Sequence, residues 1–212
     1  MTLQLMDAIF YIVILVMSVV IHEVSHGFVA EYFGDKTARY AGRLTLNPLS
    51  HLDLFGSIIL PAFLIISKAG FLFGWAKPVP YNPNNLSNKK WGSIAVAGAG
   101  VLANFCLALF FGFILRFFTY FSFGLRMSVS FYFIISLIVM VNLALVIFNL
   151  VPIPPLDGSK IIFPLLPRYF DGVVRLFEQY SLFLLIIFII FFADFLHPIL
   201  AFAYHLITGL VF

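Results

Sequence analysis

Long apolar stretches follow one another along this chain, with few charged residues between them. They lie near 8–30, 54–73, 91–120, 129–153 and 178–212. A bilayer core about 30 Å thick requires roughly 20 apolar residues for each helical crossing. Hydrophobic residues make up 63% of the 212 residues and charged residues 10%, which lies far outside the composition of soluble proteins. The sequence therefore predicts a chain that folds inside a lipid bilayer.

The apolar pattern predicts an all-α polytopic membrane protein, with a single membrane-embedded domain at 1–212. We expect about five transmembrane helices. They are predicted near 8–30, 91–120, 129–153, 178–195 and 197–212. The last two are separated because Asp194, His197 and Pro198 interrupt the final apolar stretch.

Two shorter segments between the apolar stretches carry turn and strand signals. Residues 34–48 alternate weakly between Gly34 and the Asn47-Pro48 pair, which predicts a small β-hairpin or an extended loop. Residues 74–81 are too rich in proline for a helix and predict an extended edge segment.

A histidine pair interrupts the first apolar stretch in the pattern His22-Glu23-Val24-Ser25-His26. Residues four apart lie on one face of a helix, so both imidazoles can reach one ion, and Glu23 lies one step around the helix. Zinc bound in this way lowers the pKa of a bound water toward about 7, and a neighbouring glutamate can take its proton. Ionisable residues inside a bilayer cost on the order of 3 kcal/mol each, so a function is expected for them. The alternative is a polar cluster without metal that faces a water-filled interior.

A catalytic zinc ion keeps three protein ligands and one open position, so a third ligand is needed. Asp157 is the best candidate, because it follows the proline-rich run Pro152-Ile153-Pro154-Pro155, which ends or breaks a helix at membrane depth. Unwound backbone of this kind is also where a substrate strand can pair. Taken alone, Asp157 is as well explained as the N-cap of a following helix. Together with the histidine pair, the ligand interpretation is favoured.

The metal hypothesis predicts that the apolar stretch at 54–73 enters the membrane and returns on the same side. The histidine pair lies toward the end of the first crossing, and Asp157 follows the crossing at 129–153. These residues reach one depth when a single further crossing, 91–120, separates them. Non-spanning backbone at membrane depth is tolerated where protein or a wet cavity covers it.

This topology also separates the basic residues by side. Arg116 and Arg126 fall on one side, and the other side carries Lys36, Arg39, Arg43, Lys77, Lys89, Lys90, Lys160, Arg168 and Arg175. Basic residues gather in cytoplasmic loops, so the second side is predicted to be cytoplasmic. The formal net charge of +3 suits anionic lipid headgroups and gives no reason to expect a nucleic acid partner.

The motifs together resemble the site-2 protease family of intramembrane metalloproteases. The segment His22 to His26 looks like the family's zinc motif, and Asn149 to Gly158 is similar to its Asn-x-x-Pro-x-x-x-Leu-Asp-Gly motif. Gly98 to Phe105 looks like its Gly-Pro-x-x-Asn helix entry, with Val101 where proline is usual. The loops at 34–61 and 74–80 resemble the compact subgroup that lacks a PDZ domain.

The resemblance implies one Zn²⁺ per chain, held by His22, His26 and Asp157, with Glu23 as the catalytic base. It also implies that Asn149 and Asn104 help to position substrate, and that 74–80 is similar to the strand that presents substrate to the zinc. The expected substrates are transmembrane segments of other proteins. The expected location is the prokaryotic cell (inner) membrane, with the active site toward the cytoplasmic side. Nothing in the sequence predicts an oligomeric state.

Two other functions fit the same residues. A metal-ion or proton transporter would line its pathway with the histidines and Asp157. An inactive relative would bind transmembrane proteins without cutting them. Glu23 separates these possibilities, because only a protease needs it for water activation.

Overall fold

The computed structural model describes residues 2–59, 63, 66, 76–121 and 128–210. Its α-helices in chain order are α1 Thr2–Tyr32, α2 Thr37–Tyr40, α3 Lys89–Phe121, α4 Val129–Asn149, α5 Asp157–Ile162, α6 Asp171–Gln179 and α7 Ser181–Thr208. The connections between them contain short 3-10 turns and one π-helical segment, Leu54–Ile59. The predicted all-α membrane fold is confirmed.

Three of these helices are long and apolar enough to cross a bilayer, at Ile9–Tyr32, Lys89–Phe118 and Val129–Asn149. A fourth crossing is present if Arg168–Gln179 and Ser181–Phe191, which meet at an angle of 75°, form one broken span. Among the described residues, length and composition therefore allow three or four spans, against about five predicted. Helix α7 runs from Ser181 to Thr208 with Pro198 inside it, and the predicted division into spans at 178–195 and 197–212 stays a prediction.

Of the two alternatives predicted for 34–48, a small β-hairpin or an extended loop, the β-hairpin is wrong. This segment forms the single turn of α2, followed by a loop and a 3-10 turn at Pro48–His51. Asn47 caps that turn, its side-chain oxygen accepting from the amide of Leu49 at 3.1 Å. Local polar caps compete with strand pairing, and here they prevail.

The predicted re-entrant segment at 54–73 lies largely outside the described residues, which include only 54–59, 63 and 66 of it. Its path therefore stays a prediction. The predicted extended segment at 74–81 is described from residue 76 onward, where the chain has no helical or strand assignment.

The spanning helices pack around α3, which contacts α1, α4, α5 and α7. A buried cluster joins α3, α4 and α7 and contains Ala108, Leu115, Ile135, Val139, Leu143, Tyr204 and Ile207. Gly112 of α3 allows close approach here, since a Cβ at that position would lie 2.3 Å from Ile207 Cγ2. Small residues at such contacts are typical of membrane helix packing.

Helix α6 differs from the spanning helices because it is amphipathic. Val173, Val174, Leu176 and Phe177 lie on one side of it, and Asp171, Arg175, Glu178 and Gln179 lie on the other. A short helix of this composition, bent 75° from the apolar helix that follows, is typical of a segment lying in the membrane interface.

Candidate metal centre

The histidine pair lies on the part of α1 that packs against α3. His22 and His26 are one helical turn apart, and their ring centroids are separated by 4.6 Å with the rings perpendicular. His22 is 5% exposed, and Gly100 of α3 lies directly against its ring. A Cβ at Gly100 would lie 2.6 Å from His22 Cε1, so only glycine admits the ring in this position.

Asp157 is brought to the histidines by the turn between α4 and α5. The turn folds back tightly, because a Cβ at Gly158 would lie 2.2 Å from the carbonyl oxygen of Leu150. Helix α5 begins at Asp157 itself, and Leu156 at its N-cap provides no side-chain hydrogen bond. The Asp157 carboxylate therefore does not serve as a cap and is directed at α1.

One oxygen of Asp157 lies within contact distance of both imidazoles. Its Oδ2 is 3.0 Å from His22 Nε2 and 3.1 Å from His26 Nε2. The other oxygen, Oδ1, accepts from the ammonium of Lys160 at 3.2 Å. The three predicted ligands, separated by up to 135 residues in sequence, thus meet at one point.

The far side of each imidazole is also engaged. His26 Nδ1 lies 2.6 Å from the carbonyl oxygen of Val96, and His22 Nδ1 lies 3.0 Å from Asn104 Oδ1. Metal-bound histidines commonly donate their other ring nitrogen to a carbonyl or carboxylate, which fixes the ring and its tautomer.

These contacts fit a zinc ion. Two ligands that each lie about 2.0–2.2 Å from a tetrahedral zinc are themselves roughly 3.3–3.6 Å apart, so the separations of 3.0 Å and 3.1 Å need to widen by only a few tenths of an ångström to admit the ion. The Val96 carbonyl can only accept, so a neutral His26 carries its proton on Nδ1 and turns the lone pair of Nε2 toward the Asp157 oxygen. Two acceptors facing each other at 3.1 Å favour a cation between them.

Glu23 lies beside the ligand atoms, as the pattern predicts. Nitrogen atoms of His22 and His26 and a carboxylate oxygen of Glu23 all lie within 4.8 Å of one another. Glu23 Oε2 accepts a hydrogen bond of 2.9 Å from the backbone amide of Val79. The segment at 76–80 therefore runs directly past the candidate metal centre.

Loop residues hold the 76–80 segment in place. Arg43 Nη2 donates to the carbonyl oxygens of Lys77 at 2.7 Å and Pro78 at 3.3 Å, and the amide of Lys77 donates to the carbonyl of His51 at 2.8 Å. His51 is 1% exposed, and its Nε2 lies 2.9 Å from the carbonyl oxygen of Thr45. The imidazole and the backbone carbonyl of His51 thus both take part in holding this loop together.

The two predicted substrate-positioning asparagines lie in different surroundings. Asn104 is fully buried, with Oδ1 facing His22 and Nδ2 donating to Asn142 Oδ1 at 3.0 Å. Asn149 is partly buried near the end of α4, and its Nδ2 donates to the carbonyl of Leu145. The contact of the Asn104 side chain with His22, a candidate metal ligand, was not predicted from the sequence.

Several residues at the site were not found by sequence reasoning. Val96 gave no signal, since a backbone carbonyl contact has no side-chain signature. Asn142 and Ser18 are polar residues inside apolar stretches, and that rarity was the available signal.

A comparison with family models decides the family. The model described as "Peptidase family M50" matches residues 10–193, which is most of the chain. The chain belongs to peptidase family M50. The resemblance to the site-2 proteases is thereby confirmed, and this M50 member is a metalloprotease that is integral to the membrane.

Two known proteins have sequences similar to this chain. "Putative zinc metalloprotease YwhC" of Bacillus subtilis (strain 168) is 38% identical over 196 residues, covering 90% of this chain and 81% of YwhC. "Putative zinc metalloprotease Rip2" of Mycolicibacterium smegmatis (strain ATCC 700084 / mc(2)155) is 33% identical over 142 residues, covering 67% of this chain and 51% of Rip2. No solved structure shows a significant match to the chain.

Proposed function

We propose that this chain is a zinc-dependent endopeptidase that hydrolyses peptide bonds within or near transmembrane segments of other proteins. The observation that supports this most directly is the position of Asp157 Oδ2, 3.0 Å and 3.1 Å from the two imidazole nitrogens of a helix that crosses the membrane. The names of the relatives YwhC and Rip2 agree with zinc as the metal.

His22, His26 and Asp157 would hold the ion, one per chain. Bound zinc supplies Lewis acidity, which polarises a peptide carbonyl and makes water a better nucleophile. Val96 and Asn104 keep the two rings oriented by accepting from their Nδ1 atoms. Lys160 neutralises the Asp157 oxygen that faces away from the histidines.

Glu23 is the general base in this proposal. Its carboxylate takes a proton from the attacking water and passes that proton to the amine that leaves when the peptide bond breaks. The amide of Val79 holds one of its oxygens at 2.9 Å, which leaves the other oxygen for the proton transfer.

The substrate would bind as an extended strand beside residues 76–80. This segment lies next to Glu23, whose carboxylate accepts from the amide of Val79, so a substrate strand bound there would pass the proposed base. Asn149, at the end of α4 that leads to Asp157, would contact the substrate. The cytoplasmic side of the prokaryotic inner membrane is the proposed location of this site, on the basis of the distribution of basic residues.

The test is cleavage of a model transmembrane substrate by the purified protein in lipid nanodiscs, with zinc measured by elemental analysis. Glu23→Gln should keep one zinc per chain and lose cleavage by roughly 10²- to 10⁴-fold, the usual contribution of a general base. Glu31→Gln is the matched control, because Glu31 lies on the same helix and pairs with Arg39 away from the site.

Undiminished cleavage by Glu23→Gln, or wild-type protein without zinc, would overturn the proposal. Zinc or proton flux into liposomes that Glu23→Gln alters, without cleavage in either protein, would instead indicate a transporter.

A further inference from the structure

A chain of buried hydrogen bonds leads from His22 away from the candidate metal centre. His22 Nδ1 faces Asn104 Oδ1, Asn104 Nδ2 donates to Asn142 Oδ1, and Asn142 Nδ2 donates to Ser18 Oγ, each at 3.0 Å. Asn104 and Asn142 are 0% exposed and Ser18 is 4% exposed. The chain links α1, α3 and α4 and returns to α1 one turn before His22.

The direction of this chain is fixed by a backbone group. Asn142 Nδ2 also donates to the carbonyl oxygen of Ile138 at 2.8 Å, and a carbonyl can only accept. The end of Asn142 that faces Ile138 must therefore be its NH₂ group. Its oxygen consequently faces Asn104, so Asn104 must present its own NH₂ group to Asn142.

The same logic reaches the histidine. With its NH₂ group used by Asn142, Asn104 presents its oxygen to His22, and His22 Nδ1 must carry the proton. A neutral His22 then has its lone pair on Nε2, the nitrogen that lies 3.0 Å from Asp157 Oδ2. His26 has the same tautomer, because its Nδ1 donates directly to the carbonyl oxygen of Val96.

The surroundings make a reversed arrangement costly. Asn142 and Ser18 border a cavity of about 180 Å³ whose other lining residues, among them Met17, Ile21 and Leu107, are apolar. If the amide of Asn142 were flipped, its NH₂ group would face the NH₂ group of Asn104 and its oxygen would face the carbonyl oxygen of Ile138. Few other polar groups lie near enough to replace the lost hydrogen bonds.

We propose that Asn142 is a positioning residue that acts through Asn104 to fix the tautomer of His22, so that Nε2 is the nitrogen offered to the metal. The inference rests on the proposed zinc function and deepens it. Asn142 touches neither metal nor substrate, and its effect is expected first on metal affinity and on the protonation pattern of one ring.

The experiment measures zinc affinity by competition with a chelator, and the His22 tautomer by nitrogen NMR of isotope-labelled histidine in the zinc-free protein. The NMR is done at alkaline pH, where imidazoles are neutral, and the His22 signal is identified by its loss in His22→Asn. Wild type should show Nδ1 protonated. Asn142→Leu should show a mixture of tautomers and a zinc affinity lower by roughly 10- to 100-fold, as for other residues that orient a metal ligand.

A rescue variant separates polarity from packing. Aspartate at position 104 can accept from His22 Nδ1 whatever lies at position 142, so adding Asn104→Asp to Asn142→Leu should restore most of the lost affinity and the single tautomer. Ser136→Ala is the control, since it removes the hydrogen bond of α4 to Tyr204 without touching this chain. Asn142→Ala is the second variant to use if leucine prevents folding.

Asn142 variants that bind zinc as tightly as wild type with Nδ1 still protonated would overturn the inference, and so would a loss of affinity that Asn104→Asp fails to restore. If the wild type itself binds no zinc, the proposed zinc function is wrong, and the inference about Asn142, which depends on that function, is wrong with it.

Discussion

The backbone amide of Val79 donates a 2.9 Å hydrogen bond to the carboxylate of Glu23. Val79 is 6% exposed and packs close to Gly27, where a Cβ would lie 2.8 Å from Val79 Cγ1. The proposed base is thus tied to a loop segment that is distant in sequence, and the position of that segment depends on Arg43.

Arg43→Ala should loosen residues 76–80. The guanidinium holds two carbonyls of the segment, and a hydrogen bond to a charged group contributes about 1.5–3 kcal/mol. Deuterium uptake by 76–80 should be roughly tenfold faster or more, and cleavage should fall while zinc content is kept. Arg39→Ala is the control, because Arg39 pairs with Glu31 at the end of α1. Equal deuterium uptake by 76–80 in Arg43→Ala and Arg39→Ala would show that Arg43 does not hold this segment.

Asp157→Ala should lose zinc, because it removes one of three proposed ligands. The loss of affinity should exceed the roughly 10- to 100-fold that is usual for residues that only orient a ligand. Lys160→Ala should keep the metal, since Lys160 contacts the Asp157 oxygen that faces away from the histidines. Elemental analysis after dialysis checks both, and equal zinc in Asp157→Ala and wild type would exclude Asp157 as a ligand.

Gly100→Ala should displace the His22 ring, since the added Cβ would lie 2.6–2.7 Å from three of its atoms. Overpacking of this kind costs about 1–3 kcal/mol, so zinc affinity should fall by roughly 5- to 150-fold. Gly98→Ala is a close control, because nothing lies within 4 Å of a Cβ at that position of the same helix. Chelator competition distinguishes them, and equal affinity would show that the ring has room to move.

Asp35 should make the loops sensitive to acid. It is fully buried and accepts from the amide of Asn82 at 2.6 Å and from Asn85 Nδ2 at 2.9 Å. Burial raises the pKa of Asp35, but hydrogen bonds from Thr37, Asn82 and Asn85 outweigh it and hold the pKa below its usual range. A lowered pKa contributes stability that is complete above the unfolded value of about 3.9 and is lost as pH falls through the folded value.

Thermal unfolding in detergent should therefore show the wild type losing stability as the pH falls below about 5. Asp35→Asn should be less stable than the wild type at neutral pH, and its stability should change less with pH in this range. Thr37→Val removes the hydroxyl that donates to Asp35 Oδ1, so the loss of stability on acidification should occur at higher pH. A wild type and Asp35→Asn with parallel pH profiles would contradict the prediction.

The sequence by itself determined the membrane setting, and it predicted the residues of the candidate metal centre. Apolar runs of spanning length are a local property, and so is the placement of two histidines on one helix face. The same is true of the proline-rich turn that precedes Asp157. Each of these features depends only on residues that are close in sequence, so it can be predicted without knowing the rest of the fold.

The sequence misled where local signals compete. Weak alternation at 34–48 indicated a hairpin, but the cap by Asn47 and the turn of α2 prevail. Pro198 lies inside α7, which continues on both sides of it, so a proline in an apolar stretch does not by itself end a helix. In lipid the backbone gains from keeping its internal hydrogen bonds, and neighbouring helices can accommodate a proline.

Only the tertiary structure decided which atoms meet. Asn142 lies 124 residues from Ser18 and 38 from Asn104, and no periodicity in the sequence links them. The same holds for Val79 and Glu23, which are 56 residues apart. Such contacts are set by the close packing of helices and by the need of buried polar groups for partners, and both depend on the whole fold rather than on any one segment.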